Sequence, residues 1–482
     1  MGLGGAVYNS RQIRGSPALL HFAHDRTDFH RMIRRWLHKV LGKPDVPTKP
    51  RILALEQHGI KREQIHPCAL KVTRTLKEHG YAAFVVGGAV RDLLLGRTPK
   101  DFDVATNATP EQVRVLFRRA RLIGRRFQIV HVYCGQDTIE VTTFRAHSPA
   151  GEVDEDRVTA ADGLILRDNV FGAQHEDAIR RDFTINALYY DPEQQTVWDY
   201  HGGVADAEKR LLRMIGEPAT RFREDPVRML RAARFAAKLD FRIDPGTRAP
   251  IADLAPMLER IPAARLYDEM MKLLLSGHAE RGVRQLRAEG LHHGVLPMLD
   301  AILDHPERHK FLHAALHDTD ERVRHGHSAS PAFMLACLLW FDMQAHHEQL
   351  CAEGQPELIA LHTAMDLTLE RQRTALAFPR RLDGMIKEIW GMQARFTQRT
   401  GGRPFRLLSH PRFRAGYDFL LLRAKGGDAA PDLAEWWRAF QDAGEDARNQ
   451  MLLDVPEGPS KRRRRKPRRK PAQAGAPASI DG

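Results

Sequence analysis

The spacing of apolar residues changes near residue 205 and divides the chain into two kinds of sequence. Before that point, short helical and alternating runs interleave. Ala69–His79 carries apolar residues at helical spacing, and Tyr81–Val86 is a strand-like run ending in Gly87-Gly88. Ala89–Leu95 resumes a helical pattern that Gly96 closes. Phe102–Thr106 reads as a strand. Pro110–Phe117 reads as a helix with Thr109 as N-cap and acidic Glu111 in its first turn. Phe127–Cys134 and Thr138–Phe144, joined by Gly135-Gln136-Asp137, predict a hairpin. Residues 145–177, polar and rich in acids and glycine, read as a loop. Ile179–Tyr190 reads as an apolar strand or a helix start, and Thr196–Tyr200 as extended. From about 205 to 450 helical patterns dominate, with no convincing strand and with Gly/Pro-rich breaks near 245–250, 353–356, 400–404 and 425–431. The expected fold is α+β: a head with a small mixed sheet, then an all-α body.

Residues 1–66, punctuated by Pro44, Pro47 and Pro50, read as a partly disordered basic arm with one short amphipathic helix near Met32–Val40. The expected division is this arm, a head at 67–208, a helical neck at 209–275, a helical body at 276–455 and a disordered basic tail at 456–482.

Charge sharpens that division. The 482 residues hold 74 Lys+Arg against 61 Asp+Glu, a net charge of +13, and 43% are hydrophobic, enough for a sizeable core. Residues 1–60 carry +6 and residues 461–482 carry +8, so the 400 residues between them carry −1. No run of apolar residues is long enough for a membrane span, and Arg11, Arg14, Asp25 and Arg26 interrupt any signal-peptide core. Cys68, Cys134, Cys337 and Cys351 show no CxxC spacing, so neither a disulfide framework nor a zinc ribbon is expected, and a reducing cytoplasm fits best.

Asp101-Phe102-Asp103 is the first candidate for chemistry. On a strand, residues two apart face one side, so the two carboxylates converge and favour a cation between them. Mg²⁺ suits such a site, because it binds a few carboxylates together with substrate phosphates. Upstream, Gly87-Gly88 lies between a strand and a helix start, where phosphate can approach the backbone closely. Glu140, alternating with Ile139 and Val141, offers a third carboxylate on another strand. Each feature alone has a bland reading: a turn, a solvated edge, a surface glutamate. Together they favour nucleotidyl transfer.

Phe84-Val-Val-Gly-Gly-Ala-Val-Arg-Asp-Leu-Leu-Leu-Gly96, followed by Lys100-Asp-Phe-Asp-Val104, resembles the signature of the class II nucleotidyltransferases. That family contains CCA-adding enzymes and bacterial poly(A) polymerases, within the polymerase β-like superfamily. The resemblance continues through Glu140-Val-Thr-Thr-Phe-Arg145, Arg180-Arg-Asp-Phe-Thr-Ile-Asn186 and Glu224-Asp-Pro-Val-Arg-Met-Leu-Arg231, over roughly residues 80–275. It implies a polymerase β-like head with Asp101, Asp103 and Glu140 as metal carboxylates. Asp182 joins the catalytic set and, with Asn186, lies near the nucleotide sugar. Gly87, Gly88 and Arg91 serve the nucleotide. Arg91 with Asp92 either buttresses the phosphate turn or pairs structurally. Asp225 and Arg228, three apart on a helix and so on one face, read the base. The implied requirements are two Mg²⁺ ions, with Mn²⁺ as a possible substitute, ATP as substrate and an RNA 3′ end as acceptor. RNA-decay factors and an RNA chaperone are common associates of the family.

Three features favour poly(A) addition over the alternative, CCA addition to tRNA. Leu122-Ile-Gly-Arg-Arg-Phe-Gln-Ile-Val-His-Val132 resembles a stretch that marks bacterial poly(A) polymerases. The helical body and tail exceed what a minimal CCA-adding enzyme needs. The tail holds nine cations in the ten residues 461–470, among them Lys461, Arg462, Arg463, Arg464, Arg465 and Lys466, and can grip phosphate backbones without reading sequence. A His-Asp phosphohydrolase is a second alternative. His317-Asp318 lacks flanking ligands at suitable spacing, and ordinary helical histidines are the preferred reading of His305, His309, His313, His325 and His327. A catalytically idle RNA-binding protein is disfavoured by the three carboxylates. Trp436-Trp437 and Phe440, at helical spacing, are expected in a small core.

Overall fold

The computed structural model describes residues 47–124, 128–146, 157–159, 165–168, 170–291 and 306–453. The chain divides into two compact units, residues 1–296 and 297–482. The helix expected near Met32–Val40 and the tail cations at 461–466 lie outside the described residues.

In the first unit the strands β1 (Arg51–Leu53), β2 (Ala83–Val86), β3 (Asp103–Thr106), β4 (Ala120–Ile123), β5 (Ile129–Cys134) and β6 (Asp137–Thr143) build most of one sheet. Arg157–Thr159 (β7) and Ile165–Asp168 (β8) pair separately, while Leu188–Asp191 (β9) and Thr196–Asp199 (β10) complete the main sheet. Its order is β1-β10-β9-β2-β3-β6-β5-β4. Only the β3–β6 pairing in it is parallel, so the sheet is mixed. Within the stretch expected as an arm, Arg51–Leu53 therefore forms a strand, because β1 hydrogen-bonds along β10 as the sheet's edge. The expected loop at 145–177 likewise contains β7, β8 and the start of a helix, Gln174–Arg180.

The buried centre of the sheet explains why β2 reads as continuously apolar. Ala83 and Val85 face one core with Val72, Leu76 and Val104; Phe84 and Val86 face another with Ala105, Phe144 and Tyr189. Both faces are covered, so strand alternation distributes apolar side chains to both. The first core is closed by helix α1 (Pro67–Glu78), which starts at a proline and buries Cys68, Ala69, Val72 and Leu76. Cys68 on α1 and Cys134 on β5 are joined as a disulfide, with Cα atoms 6.1 Å apart. That corrects the expectation drawn from cysteine spacing: residues 66 apart are brought together by packing that spacing does not record.

Helix α2 (Gly88–Leu94) follows β2, and α3 (Pro110–Leu116) follows β3, with Thr109 Oγ1 accepting from Gln112 N as the N-cap. Beyond α4 (Gln174–Arg180) come α5 (Pro218–Glu224), α6 (Val227–Leu239), α7 (Ala263–Leu274) and α8 (Ala279–Ala288). A two-residue parallel pairing, Leu211–Leu212 with Arg242–Ile243, interrupts this otherwise helical stretch, where no strand was expected.

The principal helices of the second unit are α9 (Pro306–Arg324), α10 (Pro331–Leu338), α11 (Trp340–Ala352), α12 (Glu357–Leu376), α13 (Asp383–Phe396), α14 (Phe413–Gly426) and α15 (Pro431–Asp442). Trp437 and Phe440 are fully buried with Phe396 and Phe413, and Trp437 Nε1 donates to Phe396 O at 2.9 Å. The tryptophan pair belongs to a core. Among the described residues, no helix is long and apolar enough to cross a membrane.

Candidate active site

A cleft of about 790 Å³ in the first unit gathers most of the residues singled out from sequence. Gly87, Gly88, Arg91, Asp101, Asp103, Asp182, Asn186, Asp225 and Arg228 all line it. Thirteen Lys/Arg and eight Asp/Glu side chains stand around it, so the cleft is basic although the middle 400 residues are nearly neutral. Folding concentrates the cations where a polyphosphate would bind.

Gly87 ends β2 with φ 72° and ψ −122°, a conformation that favours glycine, and its N–H donates to Leu188 O. A Cβ there would stand 3.5 Å from Arg181 Nη1. Asp103 opens β3, whereas Asp101 lies just before the strand. The DxD therefore straddles a strand start and does not lie within a strand. Asp103 pairs in register with Glu140 on β6, and alternation against buried Val104 and Val141 puts both carboxylates on one face. Burial, with Glu140 and Asp101 adding negative charge against Arg181, pushes the Asp103 carboxyl up to about 6. Glu140 is half exposed, with Oε1 3.3 Å from His131 Nε2, and does not line the cleft. Among the described residues, no three His, Cys, Asp or Glu side chains converge as a metal-holding group. The donors that do share the cleft, Asp101 and Asp103, still suit Mg²⁺, which takes one or two carboxylates and completes its shell with water and phosphate. Asp103's unfavourable ionisation is what a cation would relieve.

Behind the carboxylates runs a buried polar chain. Arg91 Nη1 donates to Asn186 Oδ1 at 2.6 Å, and Arg91 also holds Asp92. Asn186 Nδ2 donates to Asp182 Oδ1 at 3.1 Å, and the Phe183 N–H donates to the same oxygen at 2.8 Å. Arg231 donates twice to Asp182 Oδ2 and meets Glu269, which Arg234 also contacts. Burial opposes the charge on Asp182, but Arg231 and these donors hold its carboxyl well below the usual range.

Asp225 and Arg228 depart from the expected arrangement. Asp225 is the C-cap of α5 with φ −151° and ψ 90°, and Pro226 begins the turn into α6, so the two residues do not share one helix. The residue before a proline avoids helical geometry, which breaks the helix there. Asp225 is clamped by Arg265 of α7 through two 3.0 Å hydrogen bonds. Arg228 donates to Arg221 O at 2.9 Å and reaches Glu224 at 3.3 Å. Arg221 in turn caps the end of α4, donating to the carbonyls of Arg180 and Arg181 at 2.7 and 2.9 Å.

Sequence reasoning did not single out Arg181, Arg231, Arg265 or Glu269. The first two lie inside the quoted motif stretches; the last two, on a helix with no motif, had no local signal.

Three family models match the chain: the "Poly A polymerase head domain" over residues 83–213, "Probable RNA and SrmB- binding site of polymerase A" over 240–303, and "Polymerase A arginine-rich C-terminus" over 353–470. The poly(A) polymerase I of Salmonella typhi is 43% identical over 443 residues, 90% of this chain and 94% of that one. The poly(A) polymerase I of Escherichia coli O6:H1 is 44% identical with the same coverage. Among solved structures, the Bacillus stearothermophilus CCA-adding enzyme in complex with CTP matches at a TM-score of 0.53 and 29% identity, covering 78% of this chain and 82% of that one.

Proposed function

The chain belongs to the poly(A) polymerase I family of nucleotidyltransferases, and from that premise we propose that it adds AMP from ATP to RNA 3′ ends without a template, releasing pyrophosphate. The observation that carries the reading is that Asp101 and Asp103 share one cation-lined cleft with the Gly87-Gly88 turn, which leaves β2 beside Asp103. Asp101 and Asp103 would hold two Mg²⁺ ions, or Mn²⁺ in their place; Glu140, paired with Asp103 in register, stands outside the cleft beside His131. A metal held there would supply a lowered pKa for the RNA 3′-hydroxyl and positive charge to offset the pyrophosphate.

The remaining work falls to the chain itself. The side-chain-free turn at Gly87-Gly88 admits the triphosphate to the backbone, with Arg91 buttressing the turn through Asn186. Asp182 and Asn186 present a fixed carboxylate and amide to the ribose hydroxyls, each oriented by the polar chain behind it. Asp225, aligned by Arg265, offers an acceptor to the amino group of adenine, and Arg228 a donor to its ring nitrogen. The tail cations at 461–466 add RNA affinity that reads no sequence. RNA-decay factors are the expected protein partners, and the cytoplasm, which supplies both ATP and RNA, is the expected location.

The test is to incubate the protein with a generic RNA, Mg²⁺ and each nucleoside triphosphate separately. Long ladders with ATP alone are expected. Extension confined to tRNA, by two CMP and one AMP, would overturn the reading in favour of CCA addition.

A further inference from the structure

Within the second unit a pocket of about 600 Å³ opens between α9, α10, α13 and α14, a volume typical of small-ligand sites. Its floor is apolar, formed by Phe333, Met385, Leu421 and Leu422. Phe333 is only partly buried, yet its ring is held edge-on by Phe419 with centroids 6.2 Å apart. A fixed aromatic ring facing an open pocket is a stacking surface.

Three arginines stand around this floor: Arg322 and Arg414 are hydrogen-bonded through Nε, and Arg412 is ion-paired through its Nε. Arg322 Nε donates to Ser328 O at 2.7 Å, Arg412 Nε lies 3.5 Å from Glu388 Oε2, and Arg414 Nε lies 2.9 Å from Asp418 Oδ1. Among the described residues, no Nη atom of the three has a hydrogen-bond partner. A guanidinium tied at Nε keeps its two Nη groups as a planar fork suited to phosphate oxygens.

Two carboxylates share the pocket. Asp418 takes Arg414, and Asp318 takes Lys425 Nζ at 2.8 Å. A simple anion would meet these carboxylates and leave the apolar floor unused. A ligand with a phosphate, a flat ring and an amino donor uses all three features. We propose that this pocket binds one nucleotide of single-stranded RNA, with phosphates on the Nη edges of Arg322, Arg412 and Arg414 and the base over Phe333 and Met385. The base amino group then donates to Asp418. Adenine has such a group and uracil does not, so adenosine is preferred to uridine, and a growing poly(A) strand supplies the ligand. This rests on the reading of the chain as an RNA-extending enzyme, but it concerns binding alone.

The probes are 3′-deoxy-terminated oligo(A) and oligo(U), which bind without being extended, titrated against the full-length chain. In the triple variant Arg322→Gln, Arg412→Gln, Arg414→Gln, oligo(A) affinity should fall about tenfold or more. The salt dependence of log K should flatten by about one for each phosphate that the variant no longer neutralises. Phe333→Leu, which keeps bulk but removes the stacking face, should weaken oligo(A) about tenfold and oligo(U) less. The KM for ATP should not move in either variant. Unchanged oligo(A) affinity in both variants, at unchanged melting temperature, overturns the proposal and leaves the pocket to a peptide ligand. AMP addition by the wild-type chain is scored separately. If that addition fails while the variants still lose oligo(A), the polymerase reading falls and the pocket stands.

Discussion

Arg231 closes on one oxygen of Asp182 with two donors, Nε at 2.8 Å and Nη2 at 2.6 Å from Oδ2. This contact joins the Arg180–Asn186 stretch to α6 and is largely buried, with the Asp182 side chain 10% exposed and that of Arg231 29%. Removing the cation strands the carboxylate. Arg231→Met should cost about 3–5 kcal/mol of unfolding free energy at neutral pH, measured by urea titration. Because the folded-state pKa of Asp182 is depressed, its contribution is present above the ordinary carboxylate pKa of about 4 and is lost as pH falls through the lower folded value. The gap between wild type and variant should therefore narrow below about pH 4.

Asp103 behaves in the opposite sense. Its carboxyl is pushed up to about 6, so in metal-free protein its contribution to stability is present below the ordinary carboxylate pKa and is lost as pH rises through about 6. In the presence of a chelator at neutral pH, Asp103→Asn should be more stable than wild type by about 1–3 kcal/mol, and the advantage should vanish near pH 4. The same substitution should lower the extension rate by about 10³-fold or more. A variant that still extends RNA at the wild-type rate would refute the metal assignment.

The clamp of Arg265 on Asp225 predicts a defect in nucleotide choice. Arg265→Ala frees the carboxylate to rotate, so the KM for ATP should rise and the preference for ATP over CTP should fall about tenfold. Competition assays with mixed triphosphates measure it. An unaltered ratio would mean that Asp225 does not touch the base.

A chain ending at residue 455 lacks all nine tail cations. RNA affinity should fall steeply at moderate salt, and the slope of log K against log salt should drop by several, while the KM for ATP stays put. Filter binding across a salt series tests this.

The head was legible where local pattern and chemistry coincide. The run from Phe84 to Gly96 announces a strand, a turn that favours glycine at Gly87 and a helix, and the structure has each in place. Thr109 was legible as a cap for the same reason. Helical spacing does not carry the Asp225–Arg228 relationship, because Pro226 between them breaks the helix. β1 was missed because three residues with one inward side chain carry almost no periodicity, and only pairing with β10 makes them a strand.

Motif order and spacing determine the chemistry of this protein, because a DxD, a glycine turn and their flanking helices are local constructions that chain geometry alone can specify. Tertiary structure decides which groups are free to do that chemistry. Arg265 on Asp225, Arg231 on Asp182 and the Cys68–Cys134 link all join residues dozens of positions apart. No periodicity records such pairs: packing brings the two cysteines together, and burial makes an unpaired charge at Asp225 or Asp182 too costly to leave alone. The charge balance shows the same division. Summed along the chain, the middle is nearly neutral, at −1; folded, it gathers thirteen cations and eight acids around one cleft.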